Sequence, residues 1–344
     1  MKATKIHEYK LKGKRNISTR QPLLVGNRLM VLFIYDEKGR SFSRVICFDA
    51  TTFDIEWEYD YGFVINNIVL SPQQSLLLAC MDGKIEELNL ENGQLLHTID
   101  LGLSRSGAVS NVVNNQVVVA GVQGSKETVC VNLENREVVW RFDNGGHSYL
   151  PLIVGDKVYQ CTERQINCLD ASSGAAHWNH SEETTYIFNP ALFHELILVG
   201  GHGLVNFYHK DSGALLHQIR TNVIEGIQRI QTDEDKIYFG DTLGKYYCYQ
   251  IERKEEANGV LTVNSKLLWE HETKGEIESV PAFFKSAVLF MNDDNKLISL
   301  DKATGALNWK FNTKGKARTS GVLVADEAIY AAVSKGQVYK LKEK

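Results

Sequence analysis

Apolar residues along the chain come in short bursts separated by turn-forming clusters. In one stretch "SYLPLIV" (148–154) is followed by "KVYQCT" (157–162) and then "INCLDASSGAAHWNH" (166–180). Further on, "ESVPAFF" (278–284) and "AVLFMN" (287–292) lead into "SLDKATGALNW" (299–309). No segment sustains a 3.6-residue period, so no long amphipathic helix is expected. Each stretch predicts four short strands, which we label A to D, with turn signals roughly every 8–12 residues. In the C–D turn, an Asp bonds backbone just ahead of itself and a Gly supplies positive φ.

The pattern repeats. Anchored on Trp309, matching positions fall at Trp269, His217, Trp178, Trp140, His97 and Trp57, with spacings of 40, 52, 39, 38, 43 and 40 residues. All five Trp occupy this one position. Eight residues ahead of most anchors stands Asp49, Asn89, Asn132, Asp170, His209 or Asp301, and midway lies Gly93, Gly174, Gly213 or Gly305. A period near 40 with four strands per unit predicts an all-β fold, a β-propeller of four-stranded antiparallel blades.

Candidates for strand C are 44–49, 84–90, 128–133, 165–170, 204–209, 245–251, 296–301 and 337–342, which gives eight blades. Only seven D strands follow them, because the chain ends at "GQVYKLKEK". The missing one is expected at the other end. "KIHEYKL" (5–11) resembles "IEWEYDY" (55–61) and precedes the first A strand, so the N-terminal strand should close the last blade. Closure hides strand edges that an open array would expose. The whole chain, 1–344, is expected to be a single propeller domain. A polar insertion in the sixth unit, "RKEEANGVLTVNSK" (253–266), is expected to protrude as a loop.

Composition adds limits. Of 344 residues 43% are hydrophobic and 23% charged, with a net charge of -4. No basic excess points to nucleic acid. The apolar run "LMVLFIY" (29–35) is too short to span a bilayer, so no membrane association is expected. The start, "MKATKIHEYKLKGKRNIS", has no apolar run of signal-peptide length, which predicts a cytoplasmic location. The six Cys include no CxxC pair and read as buried reduced thiols.

"CFDATTFDIEW", "CLDASSGAAHW" and "SLDKATGALNW" resemble the quinoprotein-type repeat, A-x-D-x-x-T-G-x-x-x-W, a family of eight-bladed propellers. The resemblance covers essentially the whole chain and is best at 301–309. It is degenerate where Phe53 and Arg136 replace the Gly, and where His97 and His217 replace the Trp. The family's dehydrogenases hold pyrroloquinoline quinone with a calcium ion, a stacking Trp and often a vicinal Cys–Cys disulfide. Here no two Cys adjoin and every Trp is committed to the repeat. The resemblance to the family's other branch, an outer-membrane assembly lipoprotein without catalysis, implies a binding scaffold. That branch carries a lipobox Cys near its N-terminus, whereas the first Cys here is Cys47. No cofactor and no metal are therefore expected.

Other motifs favour architecture. "GGHGLVN" (200–206) lacks the third Gly of a dinucleotide loop and reads as a B–C turn. His177 and His180 lie three apart on a strand, so they point to opposite faces. "NDDN" (292–295) reads as a hairpin turn.

In a propeller the D–A and B–C loops share one face, and loops on a rigid scaffold carry function. The loops entering the last and first blades are basic: Lys314, Lys316 and Arg318, then Lys12, Lys14 and Arg15. Those entering blades five to seven are acidic: Glu182, Glu183, Glu225, Glu276 and Glu278. Aromatic residues Tyr61, Phe63, Tyr149 and Tyr186 lie between them, with Arg105 and His147. Tyr, Arg and His beside complementary charge suit a protein partner. The expected function is a non-catalytic, protein-binding propeller, monomeric by itself. It would act as an immunity-type inhibitor of a toxin or as an assembly scaffold. The alternative is a quinoprotein-like enzyme, or a small-ligand binder using the central channel.

Overall fold

A computed structural model describes residues 2–103, 106–113, 116–121, 126–146, 149–181, 189–221, 226–257, 259–317 and 320–344. Its described strands form eight antiparallel sheets, and the fold is an all-β propeller of antiparallel blades. Seven sheets have four strands. The expectation of four strands throughout is corrected in the first sheet in chain order, which has five. There the A segment is broken into Arg15–Thr19 and Leu23–Val25, both paired with Arg28–Glu37. Pro22 lies in the break, where it lacks the N–H needed to continue the ladder.

The chain's contacts divide it into two compact units, residues 1–100 with 274–344, and residues 101–273. The first unit holds the first, second, seventh and eighth sheets. Its apolar cores lie between neighbouring sheets: first against second, seventh against eighth, and eighth against first. The second unit holds the third to sixth sheets, again with cores between neighbours. Inner strands are covered on both faces and so read as unbroken apolar runs. Leu29 to Phe33, Leu76 to Cys80 and Leu196 to Val199 are wholly buried. The D strands alternate instead, one face in and one out, as in Ile55–Tyr61 and Leu307–Asn312.

The eighth sheet is closed by the N-terminal strand. Ala3–Lys10 pairs antiparallel with Gln337–Glu343, from Ala3 opposite Glu343 to Lys10 opposite Gln337. The two ends of the chain are therefore joined by a hydrogen-bonded ladder inside the first unit.

The polar insertion of the sixth sheet is corrected from loop to hairpin. Lys245–Glu255 and Leu261–Glu272 stay paired out to Glu255 opposite Leu261. The polar composition hides a period of two. Ile251 and Val263 point inward and are buried with the neighbouring fifth sheet, and Arg253 pairs with Glu195 at 2.7 Å.

Candidate functional site

The repeated motif is resolved into a turn, a bulge and a dock. In the turn, Asp170 Oδ1 accepts the N–H groups and hydroxyls of Ser172 and Ser173 at 2.6–3.1 Å. Asp301 accepts the N–H groups of Ala303 and Thr304, and Asp49 those of Thr51 and Thr52. These bonds favour the charged form, so the Asp170 carboxyl is held down to about 2. Hydroxyls and N–H groups that donate to the carboxylate in this way hold the turn closed.

The bulge comes next. In all eight C–D pairs the register shifts immediately before the anchor residue. A bulge at this point bends the strand and re-aims the side chain that follows. Four Trp lie directly opposite a Cys: Trp57 with Cys47, Trp140 with Cys130, Trp178 with Cys168, and Trp269 with Cys248. All six cysteines are buried and none forms a disulfide. Burial raises the Cys47, Cys80 and Cys130 thiols to about 12, which keeps them protonated and inert.

The dock joins neighbouring sheets. Trp140 Nε1 donates to the Ala171 carbonyl at 2.9 Å, Trp178 Nε1 to that of Lys210 at 3.0 Å, and Trp57 Nε1 to that of Leu90 at 3.1 Å. Each acceptor follows the motif's turn-opening residue in the next sheet, and each indole packs on that turn's glycine. A Cβ on Gly93, Gly174 or Gly213 would lie 2.5–2.6 Å from the nearest indole carbon.

At the seam between the eighth and first sheets the dock is inverted. Register places His7 opposite Lys340, directly after the bulge, in the position Trp57 holds opposite Cys47. His7 is thus an anchor that the Trp spacing does not reveal. Its receiving turn carries Phe53 in place of Gly, at φ +67°. The rings stack at 5.5 Å, and Phe53 also stacks on Phe48 at 5.1 Å. The indole's bond is made by another group: Lys340 Nζ donates to the Ala50 carbonyl at 2.6 Å.

On the loop face, the residues expected to meet a partner are placed unevenly. Arg105, His147, Tyr186, Glu225 and Arg318 lie outside the described residues, as do Glu182 and Glu183. In the second unit, Tyr149 is half-buried, and burial pushes its hydroxyl up to about 12. In the first unit, Phe63 is 41% exposed, a large apolar side chain open to solvent. Arg15 is exposed, and Lys14 pairs with Glu37 at 2.5 Å while lying over the Tyr35 ring.

The loops carrying Glu276, Glu278 and Lys316 are tied together by a residue that sequence reasoning treated only as a turn. Asp293 accepts the Glu276 N–H on one oxygen at 3.0 Å and the Lys316 amine on the other at 3.1 Å. Here an acidic and a basic loop are neighbours held on one carboxylate. Among the described residues, no group of three or more His, Cys, Asp or Glu is arranged to hold a metal ion.

No curated protein matches the chain's sequence. Solved structures do match in fold. BamB from Moraxella catarrhalis is 16% identical, with a TM-score of 0.74 over 99% of this chain and 100% of that one. Sqt1 of Saccharomyces cerevisiae is 11% identical, with a TM-score of 0.78 over the full length of both chains. The quinohemoprotein alcohol dehydrogenase of Comamonas testosteroni is 13% identical, with a TM-score of 0.74 over 99% of this chain and 76% of that one. At such identities the likeness is one of fold.

A family model goes further, matching residues 6–180 and 257–344. Its description, an outer membrane protein assembly factor, overturns the cytoplasmic location expected from the first residues. Those residues form the strand Ala3–Lys10, whose pattern reports its place in a sheet and not where the protein works. The resemblance to a PQQ-like propeller family is thereby made specific: the chain belongs to the family of the outer membrane protein assembly factor BamB.

Proposed function

We propose that this chain is a non-catalytic assembly scaffold, a propeller that holds another protein on the face made by its D–A and B–C loops. The observation that carries this reading is membership of an assembly-factor family over residues 6–180 and 257–344. The commitment of the Trp side chains supports it. Trp57, Trp140 and Trp178 each spend their indole N–H on a neighbouring sheet's backbone, which leaves them unavailable to floor a cofactor. On this reading the eight sheets are eight blades, with the N-terminal strand completing the last. Exposed Phe63 and Arg15, with Lys316, Glu276 and Glu278, supply the apolar and charged groups a protein interface uses.

The test is capture of partners by the tagged chain from native extracts, with quantitation of stoichiometry. A stoichiometric protein partner is expected, and capture should fall when Lys316 and Arg318, or Glu276 and Glu278, are reversed in charge. A captured envelope-assembly protein assigns the scaffold role; a captured toxin domain assigns the inhibitor version of the same binding mode. Absence of any partner, together with calcium-dependent thermal stabilisation by a quinone, overturns the reading in favour of an enzyme.

A further inference from the structure

A cavity of about 720 Å³ opens where the closing strand ends, lined by Lys10, Lys12, Lys14 and Lys335 with Leu11 and Ile17. Four of its nine lining residues are lysines and none is acidic. The chain as a whole carries a net charge of -4, so this is a local reversal of sign. Lys14 is paired with Glu37. Lys10, Lys12 and Lys335 are exposed, and among the described residues none of the three has an ion-pair partner.

The cavity floor is built rather than incidental. Leu11 and Ile17 are buried, and Leu11 N–H donates to the Gly336 carbonyl at 2.9 Å. Gly336, at φ +76°, approaches so closely that a Cβ there would lie 2.9 Å from Leu11 Cβ. Beside it Lys335 is held at φ +65°, a backbone region that L residues seldom occupy, in the short 3-10 turn Ser334–Gly336. The wall therefore joins the D–A connection into the first sheet with the B–C connection of the eighth. Both belong to the loop face on which the proposed partner is held.

We propose that this cavity takes an acidic peptide segment of the partner protein, with Lys10, Lys12 and Lys335 engaging its carboxylates and Leu11 and Ile17 forming the floor beneath it. The inference rests on the scaffold reading and names the chemistry its partner must present. Three unpaired amines around one concavity attract negative charge and repel cations. Each ammonium offers three donors with free rotation, which suits several carboxylates at once better than one fixed anion. The volume falls in the range that accommodates drug-sized ligands, well beyond a single inorganic anion.

The test uses the full chain and a fluorescein-labelled hexaglutamate peptide, followed by anisotropy at low and moderate salt. Saturable binding is expected, weakening with ionic strength. Lys12→Glu with Lys335→Glu should reduce affinity by about tenfold or more, equivalent to about 1.4 kcal/mol or more. Lys12→Gln with Lys335→Gln should fall between, and an unchanged melting curve shows that both variants are folded. Absent peptide binding, or binding indifferent to both variants, overturns the proposal. So does preferential binding of inorganic phosphate or of phosphatidylglycerol vesicles run in parallel, which would assign the cavity to a small anion or to a membrane surface. The two readings fail separately. Peptide binding without any captured partner leaves the cavity assignment standing and removes the scaffold role. A partner whose capture survives both variants does the reverse.

Discussion

Trp140 packs over Gly174 of the next sheet so closely that a Cβ on the glycine would lie 2.6 Å from Cδ2 of the indole. The same glycine stands at φ +72°, so two independent constraints exclude a side chain there. Gly213 meets Trp178 with the same spacing and φ +71°. The glycine that looks like a turn-former is equally a receptor for the preceding sheet.

Gly174→Ala should therefore cost more than an ordinary turn substitution. Left-handed backbone strain adds about 1 kcal/mol and overpacking about 1–3 kcal/mol. A loss of roughly 2–4 kcal/mol is expected for Gly174→Ala and Gly213→Ala, read from urea unfolding. Gly26→Ala, where φ is +57° but nothing lies within 4 Å of the Cβ position, should lose only the strain component. Equal losses at Gly174 and Gly26 would remove the docking argument.

At the seam, His7 and Phe53 exchange the sizes that Trp and Gly have elsewhere. That relationship predicts coupling between the two positions. Phe53→Gly alone empties space against Phe48, and His7→Trp alone crowds the Phe53 ring. The double variant rebuilds the common dock and should recover at least about 1 kcal/mol relative to the sum of the singles. A double-mutant cycle on unfolding free energies measures this, and additivity would show that the two rings do not share one space.

Much of this architecture can be read along the chain, and the reasons are local. A strand with one face out must alternate, and a turn closed by Asp and Gly must contain them. The period, the C strands and even the closing strand follow from such rules. His7 escapes them because only the bulge and its pairing opposite Lys340 identify it as an anchor, although "HEYK" aligns with "WEYD" once the register is known. The insertion at 253–266 escapes because its polar composition outweighs the alternation that turns Leu261 and Val263 to one face. On the loop face, sequence indicates which segments carry charge. It does not indicate that Asp293 ties the Glu276 loop to Lys316, nor that Lys10 and Lys335, from opposite ends of the chain, line one cavity. Those relations depend on how separate loops meet, which no local pattern encodes.

The Asp170 turn makes a pH dependence predictable. Its carboxyl is held at about 2 in the fold by the hydroxyls and N–H groups of Ser172 and Ser173, against an ordinary value near 3.8. A folded value below the unfolded one means that the contribution is complete above about pH 4. It is lost as pH falls from there through 2, because the unfolded state takes up the proton first. Asp170→Asn keeps an acceptor in the turn and removes the titration. The melting-temperature gap between the parent and Asp170→Asn should be constant from pH 7 to about 5 and close below about pH 4. A gap that widens with acid would show that the turn does not favour the charged carboxylate.

The closing strand offers the sharpest structural test. Ala3–Lys10 covers the edge of Gln337–Glu343, and its anchor His7 stacks on the first sheet's Phe53. Lys340, beside it, bonds the Ala50 carbonyl of that same sheet. Removing residues 1–12 uncovers a ladder of unpaired N–H and C=O groups flanked by Val338, Tyr339 and Leu341, all buried when the strand is present. Such an edge is a template for pairing with another copy. The truncated chain should aggregate or elute as a broad high-mass species in size-exclusion chromatography with light scattering, and should lose the cooperative thermal transition of the parent. Adding a synthetic peptide of residues 1–12 should restore part of that transition, because the lost strand contributes its ladder and its anchor without being covalently joined. A soluble, monodisperse truncation product that melts cooperatively without the peptide would show that the eighth sheet holds together without its fourth strand.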